Sequence, residues 1–500
     1  MNYHEIKFIS DIIQGSHFKK LLKHGSRYMV TSLLTKGGAA LLLPVYTRYL
    51  VPAEYATFSN LMAIAGVISL FLSLHVDYAY GRLFFDVAND ARVRQLFSTL
   101  FFFVVTWGGV VALLAYIILR ESISAFLKVP AWPYIALACV IPLLMQFGAL
   151  AAAHFRCRHR SRVVSLVRLL GFLVGALVSI LFLVTFKQGS LALLLGALAS
   201  SGFASVTYLV ILAHEGLLRL EFSWHLLGDS LLYAIGLFPM TVSGWIVGQV
   251  DRLLITWFVS LNDSGIYSVA FEVGRVMNLF VISLFMAYSP MVFAMLKEDG
   301  QKNIARIEQF QAFYLHVLVG LAFFVSVFAP EIFLVLVEEK YHGGIVMVPV
   351  ISFAFVFGGI RKLHATVILY HKLTWLVSIG GMVQAGLCLA LNFLLIPRFG
   401  GMAAAWTKLC SSALVAAYFY FLTRKYQPVR FDFKALKVTL GTLIMCLSVL
   451  GVSIFVIQLS FWPLVGVKIA MIMLAVAVTW RSSFGLGFQR IFLKSGKTEI

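Results

Sequence analysis

Charge is what this chain has least of. Of its 500 residues only 12% are Asp, Glu, Lys or Arg, about half the share usual in soluble proteins. Acids are scarcer still, with 21 Asp and Glu against 40 Lys and Arg for a net charge of +19. Strands of about ten residues alternating apolar and polar are missing, which excludes a transmembrane β-barrel. The five cysteines show no paired spacing: Cys139, Cys388, Cys410 and Cys446 fall in apolar runs and Cys157 in a basic loop, so neither a disulfide framework nor a metal site is implied. A glycine-rich phosphate loop ending in GK[ST] is absent, which removes an ATP-driven exporter. No large outer loop with catalytic acids exists, so a membrane glycosyltransferase or polymerase is disfavoured, no catalytic residue is nominated, and the chain is not expected to be an enzyme. Nor is a cleavable signal peptide evident, because the first long apolar run starts after Arg27 with no small-residue cleavage site behind it.

What the chain does have is apolar length. Hydrophobic residues make up 61% and mean hydropathy is +0.93. The runs predict an all-α polytopic membrane protein of about fourteen transmembrane helices. They cover residues 27–49, 57–76, 96–119, 132–153, 164–186, 190–213, 231–259, 265–292, 309–330, 344–360, 374–396, 400–422, 436–458 and 462–480. Residues 1–24 precede them, with Ile6, Ile9, Ile12 and Ile13 at helical spacing among lysines, a pattern for an amphipathic helix on anionic lipid.

Lys and Arg set the orientation. The N-terminus, the even-numbered loops and the C-terminus hold 28 of the 40, the odd-numbered loops 6, which places both termini in the cytoplasm. The positive charge is thus a topology signal with attraction to anionic lipid, and nucleic acid is not a partner. In the densest cluster, residues 154–162, an anchoring role outweighs contact with phosphates.

A weak repeat orders the spans. A shift of about 209–211 residues lays 260–268 on 50–58 and 396–406 on 185–195. Two pseudo-symmetric six-helix lobes follow, related by an axis along the membrane normal: an N-lobe at 25–213 and a C-lobe at 231–422, joined by a cytoplasmic linker at 214–230. Two C-terminal helices at 423–482 and a cytoplasmic tail at 483–500 complete the chain.

Four cations, Lys36, Arg252, Arg275 and Lys408, sit deep within apolar runs, against two acids, Asp251 and Glu272. A cation near the bilayer midplane costs about 2.5–3.5 kcal/mol even on a lenient scale, so each needs a polar cavity, a partner or a ligand. The surplus of positive charge selects an anionic cargo. Asp251 and Glu272 are expected to pair with Arg252 and Arg275; that quartet either locks span 7 to span 8 or takes part in transport, and the acids are also where a coupling ion, H⁺ or Na⁺, would bind. Lys36 and Lys408 lack an acid within a helical turn and are assigned to the cavity. Arg168 and Lys468, nearer span ends, are read as snorkelling. Trp245 and Tyr267 flank the quartet and are the aromatics to test for sugar contact. Asp77 and Arg82 fit a boundary pair.

The stretch 237–274, with its Asp-Arg pair and Gly-Ile-Tyr-Ser turn, resembles the seventh and eighth helices of Wzx-type polysaccharide flippases of the multidrug/oligosaccharidyl-lipid/polysaccharide (MOP) exporter superfamily. Residues 329–351 and 390–406 are similar to two further signatures, and 50–59 to its first-loop pattern with Ala56 in place of the usual glycine; Asp77 and Arg82 also match a family position. The resemblance implies a flippase of the bacterial inner membrane. It would carry undecaprenyl-pyrophosphate-linked oligosaccharide from the cytoplasmic to the periplasmic leaflet for polysaccharide or O-antigen (lipopolysaccharide) synthesis, by alternating access through a cationic cavity and without a cofactor. Polysaccharide polymerase and chain-length machinery are candidate partners. The alternative is a drug/cation antiporter of the same superfamily, which should carry an acid-rich interior.

Overall fold

The computed structural model describes residues 41–426, apart from 88 and 220, together with 37, 38, 441, 463, 466–471 and 473. The expected N-terminal amphipathic segment, Lys36, most of spans 1, 13 and 14, and the C-terminal tail lie outside the described residues. Among the described residues no strand occurs. The helices are α1 Leu43–Tyr49, α2 Pro52–Ser73, α3 Val76–Leu83, α4 Asp90–Leu127, α5 Ala131–Cys157, α6 Ser161–Val184, α7 Ser190–His214, α8 Trp224–Phe258, α9 Leu261–Val327, α10 Ala329–Leu336, α11 Met347–Tyr370 and α12 Thr374–Tyr426, with a 3₁₀ turn at Glu339–Gly344. Ten helical stretches among them are long and apolar enough to cross a membrane. They correspond to expected spans 2 to 12, because α12 carries two spans separated by a break at Gly400. The chain is a multi-pass α-helical membrane protein.

Local chemistry starts and stops these helices. Pro52 occupies the first turn of α2, where its missing N–H costs nothing, and the Val51 N–H donates to Glu54 Oε2 at 3.1 Å. The Asn89 side chain caps α4 by accepting from the Arg92 N–H at 2.9 Å. At the start of α9, the Asp263 N–H donates to Ser260 Oγ at 3.0 Å while Ser260 Oγ donates to Asp263 Oδ2. Along α6, Leu166, Leu170, Leu173, Leu177 and Leu181 recur every three or four residues and are all exposed. Such a stripe is the lipid-facing side of a membrane helix.

The described residues divide into two compact units, one ending at Ser268 and the other starting at Val269. In the first, α6 lies along α7, α5 packs on α4 and α7, and α2 touches α4, α5 and α8. Helices α6 and α7 cross where a Cβ on Gly175 would stand 2.8 Å from the Gly196 carbonyl oxygen and one on Gly196 2.6 Å from that of Gly175. Two glycines at the crossing let the backbones meet, which is how membrane helices associate without a hydrophobic driving force. In the second unit, α11 packs along α12.

The weak repeat has a backbone counterpart. Gly189, at the start of α7, has φ 55° and ψ −135°. Gly400, its partner at an offset of 211 residues, has φ 60° and ψ −145°. Both occupy a region open essentially to glycine alone, so the turn between the last two spans of each half is built the same way. At an offset of 209, the Val51/Glu54 and Ser260/Asp263 caps also correspond.

Candidate functional site

In the first unit the polar interior gathers where α2, α8 and the start of α9 meet. Asp251 and Arg252 are buried on α8, with side chains anchored by hydroxyls from other helices. The Tyr267 hydroxyl donates to Asp251 Oδ2 at 2.8 Å, and Arg252 Nη1 donates to Ser59 Oγ at 3.2 Å. Ser59 is bonded in turn to Ser268 Oγ at 2.9 Å, and these two serines are counterparts in the repeat, 209 residues apart. The Ser264 hydroxyl donates to the Arg252 carbonyl at 2.9 Å, and Asn60 Nδ2 donates to Thr256 Oγ1 at 2.6 Å. Gly265 allows this closeness, since a Cβ there would fall 1.9 Å from the Pro52 carbonyl oxygen. Tyr267 is wholly buried and presents no ring face to a sugar; the Trp245 indole N–H is spent on the Ala63 carbonyl at 3.0 Å.

In the second unit Glu272 and Arg275, one turn apart on α9, form an ion pair at the unit's surface. Lys408 is buried on α12, its ammonium 4.8 Å from the centre of the Phe271 ring, a contact that offsets part of the cost of a desolvated cation. The Ser411 hydroxyl donates to the Lys408 carbonyl at 3.2 Å.

Two cations that sequence reasoning assigned to a cytoplasmic loop lie inside a helix. The apolar run ends at residue 360, but α11 continues to Tyr370 and takes in Arg361 and Lys362. Arg361 Nη1 donates to Gln384 Oε1 at 2.8 Å, and Gln384 Nε2 donates to Ser412 Oγ at 3.1 Å. Lys362 stands 5.6 Å from the centre of the Phe285 ring. A second correction concerns Lys468, which does not snorkel. It is buried, its ammonium donates to Glu331 Oε1 at 2.5 Å, and it lies 5.8 Å from the Phe328 ring centre. Burial with a carboxylate partner removes the need to reach the interface. Arg168 is exposed.

The loop 154–162 holds its own charges. Arg158 binds Asp90 at 2.5 Å and stacks on Phe84, and Arg160 pairs with Glu215 and stacks on Phe155. Arg82 bonds Asp86 at 2.6 Å, so the boundary pair expected with Asp77 is not formed. Burial pushes the Asp77 carboxyl above its ordinary value, against the pull of His75 and Arg156, and burial lowers the His75 imidazole below its own. Among the described residues no cluster of three or more His, Cys, Asp or Glu could hold a metal.

Residues 45–346 match the polysaccharide biosynthesis protein family. An uncharacterised membrane protein of Haemophilus influenzae is 21% identical over 329 residues, 65% of this chain and 78% of that protein. Among solved structures, the lipid II flippase MurJ in an inward closed conformation aligns with a TM-score of 0.69 at 12% identity, covering 91% of this chain and 99% of MurJ. An inward-facing multidrug resistance MATE family transporter of the MOP superfamily aligns with a TM-score of 0.62 at 13% identity, covering 81% and 98%. These likenesses establish a shared fold.

Proposed function

Because the chain belongs to the polysaccharide biosynthesis protein family, we propose that it is a flippase. It moves undecaprenyl-pyrophosphate-linked oligosaccharide from the cytoplasmic to the periplasmic leaflet of the bacterial inner membrane, by alternating access through a cationic cavity. The observation that carries the reading is the sign of the interior charge. Among the described residues Arg252, Arg361 and Lys408 lie within membrane-spanning helices, the buried acid Asp251 has a partner in Tyr267, and Glu272, at its unit's surface, is paired with Arg275. A drug/cation antiporter, which the MATE-like fold also accommodates, would be served by acids available to a cation. A diphosphate diester carries about −2 and is attracted by the opposite arrangement.

No bond is made or broken in such a cycle. The interior cations replace the water that solvates the head group, while the polyprenyl tail stays in lipid. The membrane potential, worth about 2.3 kcal/mol per charge per 100 mV, supplies the drive. Surface polysaccharide should disappear on deletion of the gene while lipid-linked repeat units accumulate facing the cytoplasm. Lys408→Gln should reproduce that loss at normal protein abundance, with Lys408→Arg retaining more export. A deletion strain with normal surface glycan, or one whose defect is in cation-driven drug efflux, would defeat the reading.

A further inference from the structure

Among the described residues Arg361 is a cation without a matching acid. It lies nine residues before the end of α11 at Tyr370, about 14 Å in at 1.5 Å per residue, and Gln384 is ten residues past the start of α12 at Thr374, about 15 Å in. Both therefore sit at one depth, about two and a half turns inside their helices. Among the described residues the guanidinium has Gln384 as its hydrogen-bond partner on one edge and no carboxylate within ion-pair distance. Gln384 is itself buried and fixed by Ser412, so the partner cannot swing away. Ser412 lies one helical turn from Lys408 on the same face of α12, which puts Arg361 on a polar relay leading toward a second interior cation.

A guanidinium offers five donors in a planar fork. Holding one edge with a neutral amide leaves the charge uncompensated and the fork oriented, an arrangement suited to a bidentate oxyanion. We infer that Arg361, positioned by Gln384 and Ser412, is a binding site for the phosphate oxygens of a phosphorylated polyprenyl head group. The inference rests on the flippase reading for its ligand and adds a residue which that reading does not contain. A structural brace would need only the Arg361–Gln384 bond and would be indifferent to the ligand's charge.

The test is equilibrium binding to the full chain in lipid nanodiscs, with farnesyl diphosphate as probe and farnesyl monophosphate, farnesol and inorganic pyrophosphate as comparisons. Wild type should bind both phosphorylated lipids and show no farnesol binding that depends on Arg361. Arg361→Gln should weaken farnesyl diphosphate by ten-fold or more, and Arg361→Lys should recover only part, because an ammonium lacks the fork. Since Arg361→Gln leaves Gln384 with an altered partner, Arg361→Gln/Gln384→Leu is measured beside it, with melting temperature followed for both. Loss of binding at wild-type melting temperature supports the site. Unchanged binding in Arg361→Gln overturns it, as does a wild type that ignores farnesyl diphosphate. Equal competition by inorganic pyrophosphate would overturn the assignment to a lipid head group. A chain that binds farnesyl diphosphate through Arg361 yet exports no glycan would count against the flippase reading alone; one that exports glycan while Arg361→Gln binds normally would count against this site alone.

Discussion

A carboxyl buried among helices needs hydrogen-bond partners, and for Asp251 one is the Tyr267 hydroxyl. Removing that hydroxyl leaves a buried oxygen short of a partner, which costs about 1–3 kcal/mol. Tyr267→Phe should therefore lower the melting temperature measurably while keeping the ring's packing, and an unchanged melting temperature would show that the bond contributes nothing. Asp77 gives a prediction of pH dependence. Its folded carboxyl holds a proton to higher pH than the unfolded one, so the native state binds more protons in that window, and stability falls as pH rises from about 3.8 through the raised value. His75, with a lowered value, titrates in the opposite sense, so the comparison belongs in a His75→Gln background. There Asp77→Asn should melt higher than Asp77 at neutral pH, with the gap closing toward acid. A gap that is constant with pH would mean the carboxyl is not desolvated.

At the scale of helices, backbone approach decides more than hydropathy. Gly265 packs against the Pro52 carbonyl oxygen with no room for a methyl group, and overpacking of this kind costs about 1–3 kcal/mol. Gly265→Ala should therefore destabilise the chain and separate the Ser59–Ser268 pair. Its counterpart Ala56, already buried, should accept glycine for roughly 1 kcal/mol of helix propensity. Equal melting temperatures for the two variants would contradict the close approach. The Lys468–Glu331 pair ties residues 466–471 to α10. Breaking one side of a buried pair costs about 3–5 kcal/mol, whereas replacing both is far milder. Lys468→Met and Glu331→Leu should each destabilise, and the double variant should recover much of the loss; simple additivity in that cycle would show the two side chains act independently.

These elements also show what a sequence can carry. Spans 2 to 12 were legible because an apolar run long enough to cross a bilayer has little else it can be, and Lys408 was legible because a lone cation in such a run is conspicuous. Arg361 and Lys362 were not, since a hydropathy run stops at the first paired charges whether or not the helix does. What lets α11 continue is Gln384 on another helix and the Phe285 ring, and neither is visible in local sequence. Lys468 failed for the same reason, its partner lying 137 residues away. Arg82 pairs with Asp86, four residues on and one helical turn away, whereas Asp77 lies five residues back on a different face.

For the molecule as a whole, the charge asymmetry from which its orientation is predicted withstands the correction at α11. Taking Arg361 and Lys362 out of the loop count leaves 26 Lys and Arg on one side against 6 on the other. Short loops with that bias stay on the cytoplasmic side, so residues 154–163 should be cytoplasmic and residues 260–264 and 397–400 periplasmic. With this orientation Lys408, eight residues from Gly400, lies about 12 Å from the outer end of its helix, and Arg361 about 14 Å from the inner end of its own. Taking those helix ends as the edges of a hydrocarbon core about 30 Å thick, the two cations then stand about 4 Å apart in depth. On the flippase reading, a head group crossing from the cytoplasm would meet Arg361 first and Lys408 within one helical turn of it, both near the midplane. The orientation is checked with a membrane-impermeant maleimide on intact cells, in a cysteine-free background. Asn262→Cys should be labelled at once and His159→Cys only after the membrane is opened. Labelling of both from the outside, or of His159→Cys alone, would reverse or abolish the orientation, and the order of contact along the path with it.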